Sequence, residues 1–220
     1  MARSRDVPHL RILGDAMAPS SPARYLIKNG CMYVRSLETP FLDIAGLKGG
    51  RMALPAWTDA GLLPPGAHAA TMPDIYDRFV SDAPEHEERD ILFNALTLHL
   101  QLIRRLIPAG RAWIDGSFCT RQALPPNDVD VVIHPADRVA LEALELPDRA
   151  RLYMLLTLKD VAIYEPALVF PKLQAVSGLV DAYICAPGHE DVWDANWSRV
   201  TDAYGSVIEG KTKGYAEVAW

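Results

Sequence analysis

The chain has 220 residues, of which 50% are hydrophobic and 23% are charged, and its formal net charge is −6. This composition is typical of a globular protein with a sizeable core, and the length allows one domain with a small addition. No run approaches the roughly 18 apolar residues of a membrane-spanning helix, and residues 1–20 lack the apolar stretch of a signal peptide. These features predict a cytoplasmic protein with no membrane partner, and they argue against repeat proteins and small secreted domains.

The three cysteines, Cys31, Cys119 and Cys185, are far apart and odd in number. They form neither a disulfide framework nor a CxxC metal motif, so we expect buried thiols in a reducing compartment.

Charge is unevenly distributed along the chain. Residues 1–60 carry eight basic and five acidic side chains, whereas the remainder carries 14 basic and 23 acidic ones. An acidic body argues against broad nonspecific binding to duplex nucleic acid, which needs many phosphate contacts, but it leaves a local basic groove open.

Residues 1–60 are predicted to form an N-terminal arm and a β-containing appendage. Residues 1–22 mix proline, serine and arginine without a period, which is typical of a loose arm. Asn29-Gly30 then separates two β-prone runs and predicts a hairpin, because both turn positions need a positive φ. The turn-rich segment 61–66 marks the start of the main domain, which we place at 61–220.

The main domain alternates irregularly between strands and helices. Thr71 is the expected N-cap of a helix, and apolar residues at three- and four-residue spacing predict a long helix over 85–107. The remaining predicted elements are strands at 111–115, 129–133 and 179–185 and helices at 136–146 and 148–159. This order favours an α/β (α+β) fold with a small mixed β-sheet flanked by helices.

Three side chains on the helices are predicted to serve packing. His99 lies in the apolar stripe of the long helix, where a histidine at the edge of the core is expected. Trp193 and Trp197 lie four residues apart on a late helix and are expected to pack.

The strongest chemical signal is Gly116-Ser117 followed, after ten intervening residues, by Asp128-Val129-Asp130. Strand alternation places Asp128 and Asp130 on one face while Val129 faces the core. Two carboxylates about 7 Å apart along a strand can hold a hard divalent cation, whose other ligands are often phosphates. The glycine turn lets backbone amides and the Ser117 hydroxyl approach such phosphates.

A third carboxylate, Asp181, lies within an apolar strand, where a charge is costly unless it is paired or bound to metal. If that strand neighbours the strand of Asp130, the three carboxylates converge and can bridge two metal ions, as nucleotidyl transfer requires.

Weaker candidates are Arg121 and Lys172, either of which could contact a phosphate or remain a solvated side chain. His134 lies on the carboxylate face by strand parity, but we expect the strand to end there because Pro135 follows.

These residues resemble the signature of the polymerase-β-like nucleotidyltransferase superfamily, namely Gly116-Ser117, Asp128, Asp130 and Asp181. The flanking segments 63–68, 113–118, 126–132 and 213–218 resemble a narrower uncharacterised bacterial group of nucleotidyltransferase-like proteins. The resemblance covers about residues 61–220 and leaves 1–60 unexplained.

The resemblance implies transfer of a nucleoside monophosphate from an NTP, ATP among them, to a hydroxyl with release of pyrophosphate. It implies that Asp128 and Asp130 bind two Mg²⁺ ions, with Mn²⁺ as an alternative, and that Asp181 binds the catalytic one. Asp181 is also the candidate general base, and Gly116 and Ser117 hold the phosphates, with Arg121 as a further phosphate contact.

The acceptor stays open between RNA such as a tRNA end, a protein and a small molecule. Relatives often occur in toxin–antitoxin or phage-defence settings, so a toxin or antitoxin partner is a further expectation by analogy. One alternative is a silent nucleotide-binding or antitoxin-type module on the same fold. Another is an interaction protein that docks through residues 1–60.

Overall fold

A computed structural model of the protein describes residues 26–28, 31–33, 54–122, 124–164, 167–202 and 206–220. The chain divides into two units, Met1–Lys48 and Gly49–Trp220. The predicted arm lies outside the described residues, and the predicted domain boundary between residues 60 and 61 stays a prediction. No helix within the described ranges is long and apolar enough to cross a membrane.

In the first unit, strands β1 (Leu26–Lys28) and β2 (Cys31–Tyr33) pair antiparallel, with Lys28 opposite Cys31. The pairing confirms the predicted hairpin strands, while the turn residues Asn29 and Gly30 lie outside the described part.

The elements of the second unit follow one another in the chain as β3 (Gly66–Ala69), α1 (Met72–Tyr76), α2 (His86–Leu106), β4 (Gly110–Asp115), β5 (Val129–Pro135), α3 (Arg138–Glu142), α4 (Leu146–Met154), β6 (Leu158–Tyr164), β7 (Ala167–Leu173), β8 (Val180–Ile184), α5 (Glu190–Trp197), β9 (Arg199–Thr201), β10 (Val207–Thr212) and β11 (Gly214–Ala219). A π-helical turn, Asp77–Ser81, follows α1, and short 3₁₀ turns occur at Ser117–Cys119 and Val176–Gly178.

A five-stranded sheet in the order β3-β11-β4-β5-β8 forms the centre of this unit. Strand β11 runs parallel to β3 and antiparallel to β4, β4 runs antiparallel to β5, and β5 runs parallel to β8. The predicted α/β fold, with a small mixed sheet flanked by helices, is therefore confirmed.

The two faces of the sheet differ in chemistry. Val129, Val131 and Ile133 alternate along β5, are fully buried and belong to the main hydrophobic core. The intervening residues of β5 point to the opposite face, because successive side chains in a strand alternate. That opposite face carries the aspartates, and Trp193 of α5 packs near it against Tyr183 of β8 with ring centroids 5.5 Å apart.

The helices agree well with the predicted pattern around the core. Thr71 caps α1 in a capping box with Asp74, whose carboxylate accepts from the Thr71 backbone N–H at 2.9 Å. Helix α2 covers almost the full predicted range and buries Leu96 and Ile103 completely. His99 is fully buried between them and its Nε2 lies 2.8 Å from the Leu155 carbonyl, so it serves packing in the core, as predicted. The predicted Trp193–Trp197 contact is confirmed with an edge-on geometry.

The predicted helix at 148–159 is wrong in its second half. Helix α4 ends at Met154, and Leu158 begins β6, which pairs antiparallel with β7. The helix at 136–146 is likewise shortened to α3. The segment 158–164 can satisfy its backbone groups by pairing with 167–173, and this partner strand is not apparent from local periodicity alone.

The segment 61–66, which is predicted to be a turn-rich linker, already contacts the central sheet. Leu63 is buried, its carbonyl accepts from Gly214 at 3.0 Å, and β3 already begins at Gly66. Segment 213–218, noted for its resemblance to a family ending, supplies most of β11 between β3 and β4.

Candidate active site

Three aspartates lie side by side across three neighbouring strands. Asp115 of β4 is opposite Asp130 of β5, and Asp130 is opposite Asp181 of β8. Asp128 precedes β5 by one residue and shares the face of Asp130. The condition for convergence of Asp128, Asp130 and Asp181 therefore holds, and Asp115 joins them as a fourth carboxylate.

Asp130 is at the centre of this group of aspartates and accepts no hydrogen bond from any residue that the structure describes. The pKa of Asp130 is raised to about 7, mainly by burial and then by the negative charges of Asp128, Asp115 and Asp181, although the positive charge of Lys172 opposes the shift. A carboxylate in this position is unfavourable when ionised, unless a cation compensates for its charge.

Asp181 and Asp128 are held by side chains from the neighbouring segments. The Thr157 hydroxyl donates to Asp181 Oδ1 at 2.6 Å, and Lys172 Nζ donates to Asp181 Oδ2 at 2.6 Å. The same ammonium lies 4.0 Å from Asp128 Oδ2, and the Gln174 amide donates to that oxygen. Lys172 thus contacts two of the predicted metal ligands and is itself 39% exposed.

Asp115 forms an ion pair with Lys213. The ammonium of Lys213 donates to Asp115 Oδ1, and both side chains are buried. Burial raises the pKa of Asp115 to about 6 although Lys213 opposes this shift. Lys213 therefore compensates the charge of Asp115 from the segment that leads into β11.

Gly116 and Ser117 form the turn that leaves β4 next to Asp130. Gly116 adopts φ +85°, and a Cβ atom at this position would lie 2.2 Å from Asp130 Oδ2. Ser117 begins the short 3₁₀ turn, whose end is closed by Thr120 Oγ1 donating to the Ser117 carbonyl at 2.8 Å. Glycine is required here by both the backbone conformation and the room that Asp130 occupies.

We expect Gly116→Ala to lower the free energy of unfolding by about 3 kcal/mol, since it combines backbone strain with a clash against Asp130. Urea unfolding followed by circular dichroism measures this loss. Gly178→Ala is the matched control, because Gly178 has φ +92° but open space at the Cβ position. The control should lose only about 1 kcal/mol, and equal losses in the two variants would show that the contact with Asp130 is unimportant.

The structure places two other predicted candidates, Arg121 and His134, away from this group of aspartates. Arg121 is exposed and lies beside the 57–61 segment, where its backbone N–H donates to the Gly61 carbonyl at 2.7 Å. No contact in the described part of the chain joins it to the aspartates. His134 lies four residues beyond Asp130 on β5, about 13 Å along the strand. The strand ends one residue later than predicted, at Pro135, which pairs opposite Gly110.

Sequence reasoning missed four residues that contact the aspartates, namely Asp115, Thr157, Gln174 and Lys213. Asp115 has a local signal, because it ends a predicted strand directly before Gly116 and alternates with Ile114 of the core. Lys213 and Thr157 have none, since 98 and 24 residues separate them from the aspartates that they contact.

The donor set fits a hard divalent cation. Carboxylate oxygens are the ligands that Mg²⁺ prefers, and Asp128, Asp130 and Asp181 would hold it. The fit is supported by Asp130, a mostly buried acceptor without a donor, and by Lys172, which shows that a cation can contact Asp128 and Asp181 together.

Comparisons with known proteins identify a family but no characterised relative. No curated protein and no solved structure matches the chain. Residues 55–219 match the family described as Family of unknown function (DUF6932). This match includes every aspartate of the site and the whole five-stranded sheet. The chain belongs to this family of unknown function, DUF6932.

Proposed function

We propose that the protein is a Mg²⁺-dependent nucleotidyltransferase of the polymerase-β-like kind. The substrate is a nucleoside triphosphate, and the acceptor is a hydroxyl of RNA, of a protein or of a small molecule. The observation that carries the proposal is the alignment of Asp130 and Asp181 on adjacent strands, with Asp128 beside them and the Gly116-Ser117 turn against Asp130.

The charges of the site support phosphate chemistry of this kind. Asp130 lacks a donor among the described residues, and with a pKa of about 7 its carboxylate is only partly ionised near neutral pH unless positive charge compensates it. Bound Mg²⁺ supplies that charge and neutralises the phosphates during transfer. The glycine turn gives the triphosphate access to backbone amides and to the Ser117 hydroxyl.

In the proposed reaction the acceptor oxygen forms a bond to the α-phosphorus of the NTP. The bond from that phosphorus to the bridging oxygen breaks, and its electron pair leaves with pyrophosphate. The proton of the acceptor hydroxyl passes to Asp181 Oδ2. Thr157 fixes the other oxygen of Asp181, whereas Oδ2 is paired with Lys172, a partly exposed side chain that can turn towards the phosphates.

A nucleotide-binding module without turnover, of the sensor or antitoxin type, is the second candidate. Lys172 favours it, because the ammonium already contacts Asp181 and Asp128 and so competes with a metal ion for the same oxygens. Such a module would bind Mg²⁺ and NTP weakly, release no pyrophosphate and act through a toxin or antitoxin partner.

The test is pyrophosphate release by the full chain with Mg²⁺ and each of the four NTPs, first alone, then with total RNA and with cell lysate as acceptor sources. Asp128→Ala is the blank, and Glu142→Gln, which removes an exposed carboxylate on α3, is the matched control. We expect release that depends on Mg²⁺, is retained by the control and is lost in the blank, with labelled NTP marking the acceptor. Absence of release while Mg²⁺-dependent NTP binding persists would establish the second candidate, and absence of both would refute the nucleotide site.

A further inference from the structure

A second group of ligating side chains lies at the opposite ends of the two strands that carry Asp130 and Asp181. His134 follows Asp130 by four residues on β5, and Cys185 follows Asp181 by four residues directly after β8. Four residues of strand span about 13 Å, which separates this group from the aspartates. Glu190, at the start of α5, completes it.

The three side chains are close enough to share one ion. One ligand atom from each, an imidazole nitrogen, the thiol sulfur and a carboxylate oxygen, lies within 4.8 Å of the other two. The Cys185 backbone N–H donates to the Ile133 carbonyl at 2.9 Å, which holds the ends of β5 and β8 together. Zinc bonds to nitrogen, oxygen and sulfur ligands are about 2.0–2.3 Å long, so atoms that lie within 4.8 Å of one another are close to the spacing that a shared ion sets.

His134 is the independent observation that points to a ligand. It is 6% exposed, and both of its ring nitrogens are buried with no hydrogen-bond partner among the described residues. A neutral imidazole carries one N–H and one lone pair, and leaving them unpaired inside a protein is costly. The Trp113 ring packs against the imidazole, with centroids 4.1 Å apart, and offers no acceptor in exchange. A metal ion bound by one nitrogen would compensate for the unused lone pair.

We propose that His134, Cys185 and Glu190 form a zinc-binding site separate from the aspartates. Thiolate and imidazole select borderline-soft transition metals and disfavour Mg²⁺, which prefers oxygen ligands. The thiolate and the carboxylate carry two negative charges, which match the charge of one Zn²⁺, while the guanidinium of Arg138, which donates to the Cys185 carbonyl, adds a positive charge beside them. Three protein ligands leave a fourth position for water, and the bound ion ties β5 and β8 to α5.

The location explains why the site does not stand out in the sequence. Cys185 and Glu190 are five residues apart with Pro187 and Gly188 between them, and His134 comes from a strand about fifty residues earlier. The spacing matches no short metal motif. The parallel register of β5 and β8, which pairs Ile133 with Ile184, brings the next residue of each strand together.

The test uses the full chain freed of metal with a chelator, in excess Mg²⁺ to saturate the aspartates. Zn²⁺ is titrated against a chromogenic chelator, and Co²⁺ serves as the spectroscopic probe of thiolate ligation. We expect one equivalent of Zn²⁺, a thiolate-to-cobalt charge-transfer band, and a higher melting temperature with Zn²⁺. Cys185→Ser should abolish the band and weaken Zn²⁺ binding by at least about 100-fold, and Glu190→Gln should weaken it by about tenfold.

Two control variants make the result decisive. Asp191→Asn changes the exposed neighbour of Glu190 on α5, and Cys119→Ser changes a second buried thiol in the described part of the chain, so both variants should bind Zn²⁺ like the unmodified chain. Since Glu190 is only half-buried, Glu190→Gln is expected to fold, and its melting curve without metal checks this. Failure to bind a stoichiometric Zn²⁺ ion, or binding that survives Cys185→Ser unchanged, would overturn the proposal.

Discussion

Asp130→Asn is expected to reduce Mg²⁺-dependent pyrophosphate release by about 10³-fold or more, because it removes the carboxylate that lies between the other two predicted metal ligands. Asparagine keeps the shape of the side chain, and no described residue donates to Asp130, so the substitution breaks no hydrogen bond that the structure describes. The rate is measured with saturating NTP and Mg²⁺. If the second candidate function holds, the same variant should lose Mg²⁺-dependent NTP binding instead.

The same substitution is expected to stabilise the metal-free protein at high pH. The pKa of Asp130 in the fold, about 7, lies above its ordinary value of 3.8, so the folded chain binds more protons than the unfolded chain between these values. The contribution of Asp130 to stability is therefore fully present below pH 4 and is lost as the pH rises through 7. Asparagine does not ionise, so the advantage of the variant should grow from near zero at pH 4 to about 4 kcal/mol well above pH 7, at about 1.4 kcal/mol for each unit of the pKa difference.

Urea unfolding across this pH range, in the presence of a chelator, measures the advantage of the variant. Adding about 10 mM Mg²⁺ at pH 8 should then raise the melting temperature of the unmodified chain and leave that of Asp130→Asn unchanged. Glu142→Gln is the control for the general loss of a negative charge and should show neither effect. A pH-independent difference between Asp130→Asn and the unmodified chain would mean that Asp130 has an ordinary pKa, and the case for a compensating cation would fail.

The predictable part of the site is the part encoded within single strands. Asp128, Asp130 and Val129 follow a period of two, so their faces can be read from a few residues, and the structure buries Val129 as expected. The long helix has the same advantage, because its apolar stripe repeats over six turns and its observed bounds differ from the prediction by one residue at each end.

The unpredictable part depends on which strands pair. Asp181 joins Asp130 only because β8 is parallel to β5 in a register that places them opposite each other. Asp115 obtains Lys213 only because β11 comes from the end of the chain to lie beside β4. Register across a sheet is set by the packing of whole faces and by long-range pairing, and neither leaves a local pattern near Thr157 or Lys213. The wrong prediction of a helix up to residue 159 has the same origin, because pairing with β7 determines the conformation of β6.

The backbone around the Gly116-Ser117 turn has a support that is visible only in three dimensions. Arg89 of α2 is fully buried, and its guanidinium donates to the carbonyls of Phe118 at 2.7 Å, Thr120 at 2.8 Å and Phe79 at 3.0 Å. Burial lowers the pKa of Arg89, although the group remains a cation held by three carbonyl dipoles. Two of these carbonyls, those of Phe118 and Thr120, lie within three residues after Ser117, so Arg89 fixes the turn from the core side of the sheet.

Arg89→Met is expected to lower the free energy of unfolding by about 4 kcal/mol, because methionine fills part of the space but leaves three buried carbonyls without their donor. Arg105→Met on the same helix is the matched control: Arg105 is exposed, and its loss should cost at most about 0.5 kcal/mol. Urea unfolding measures both values.

Amide hydrogen exchange at residues 116–120 should also accelerate in Arg89→Met under native conditions, since the turn loses two of its anchoring contacts. A stability loss below about 1 kcal/mol, or unchanged exchange in the turn, would show that the fold positions Gly116 and Ser117 without Arg89.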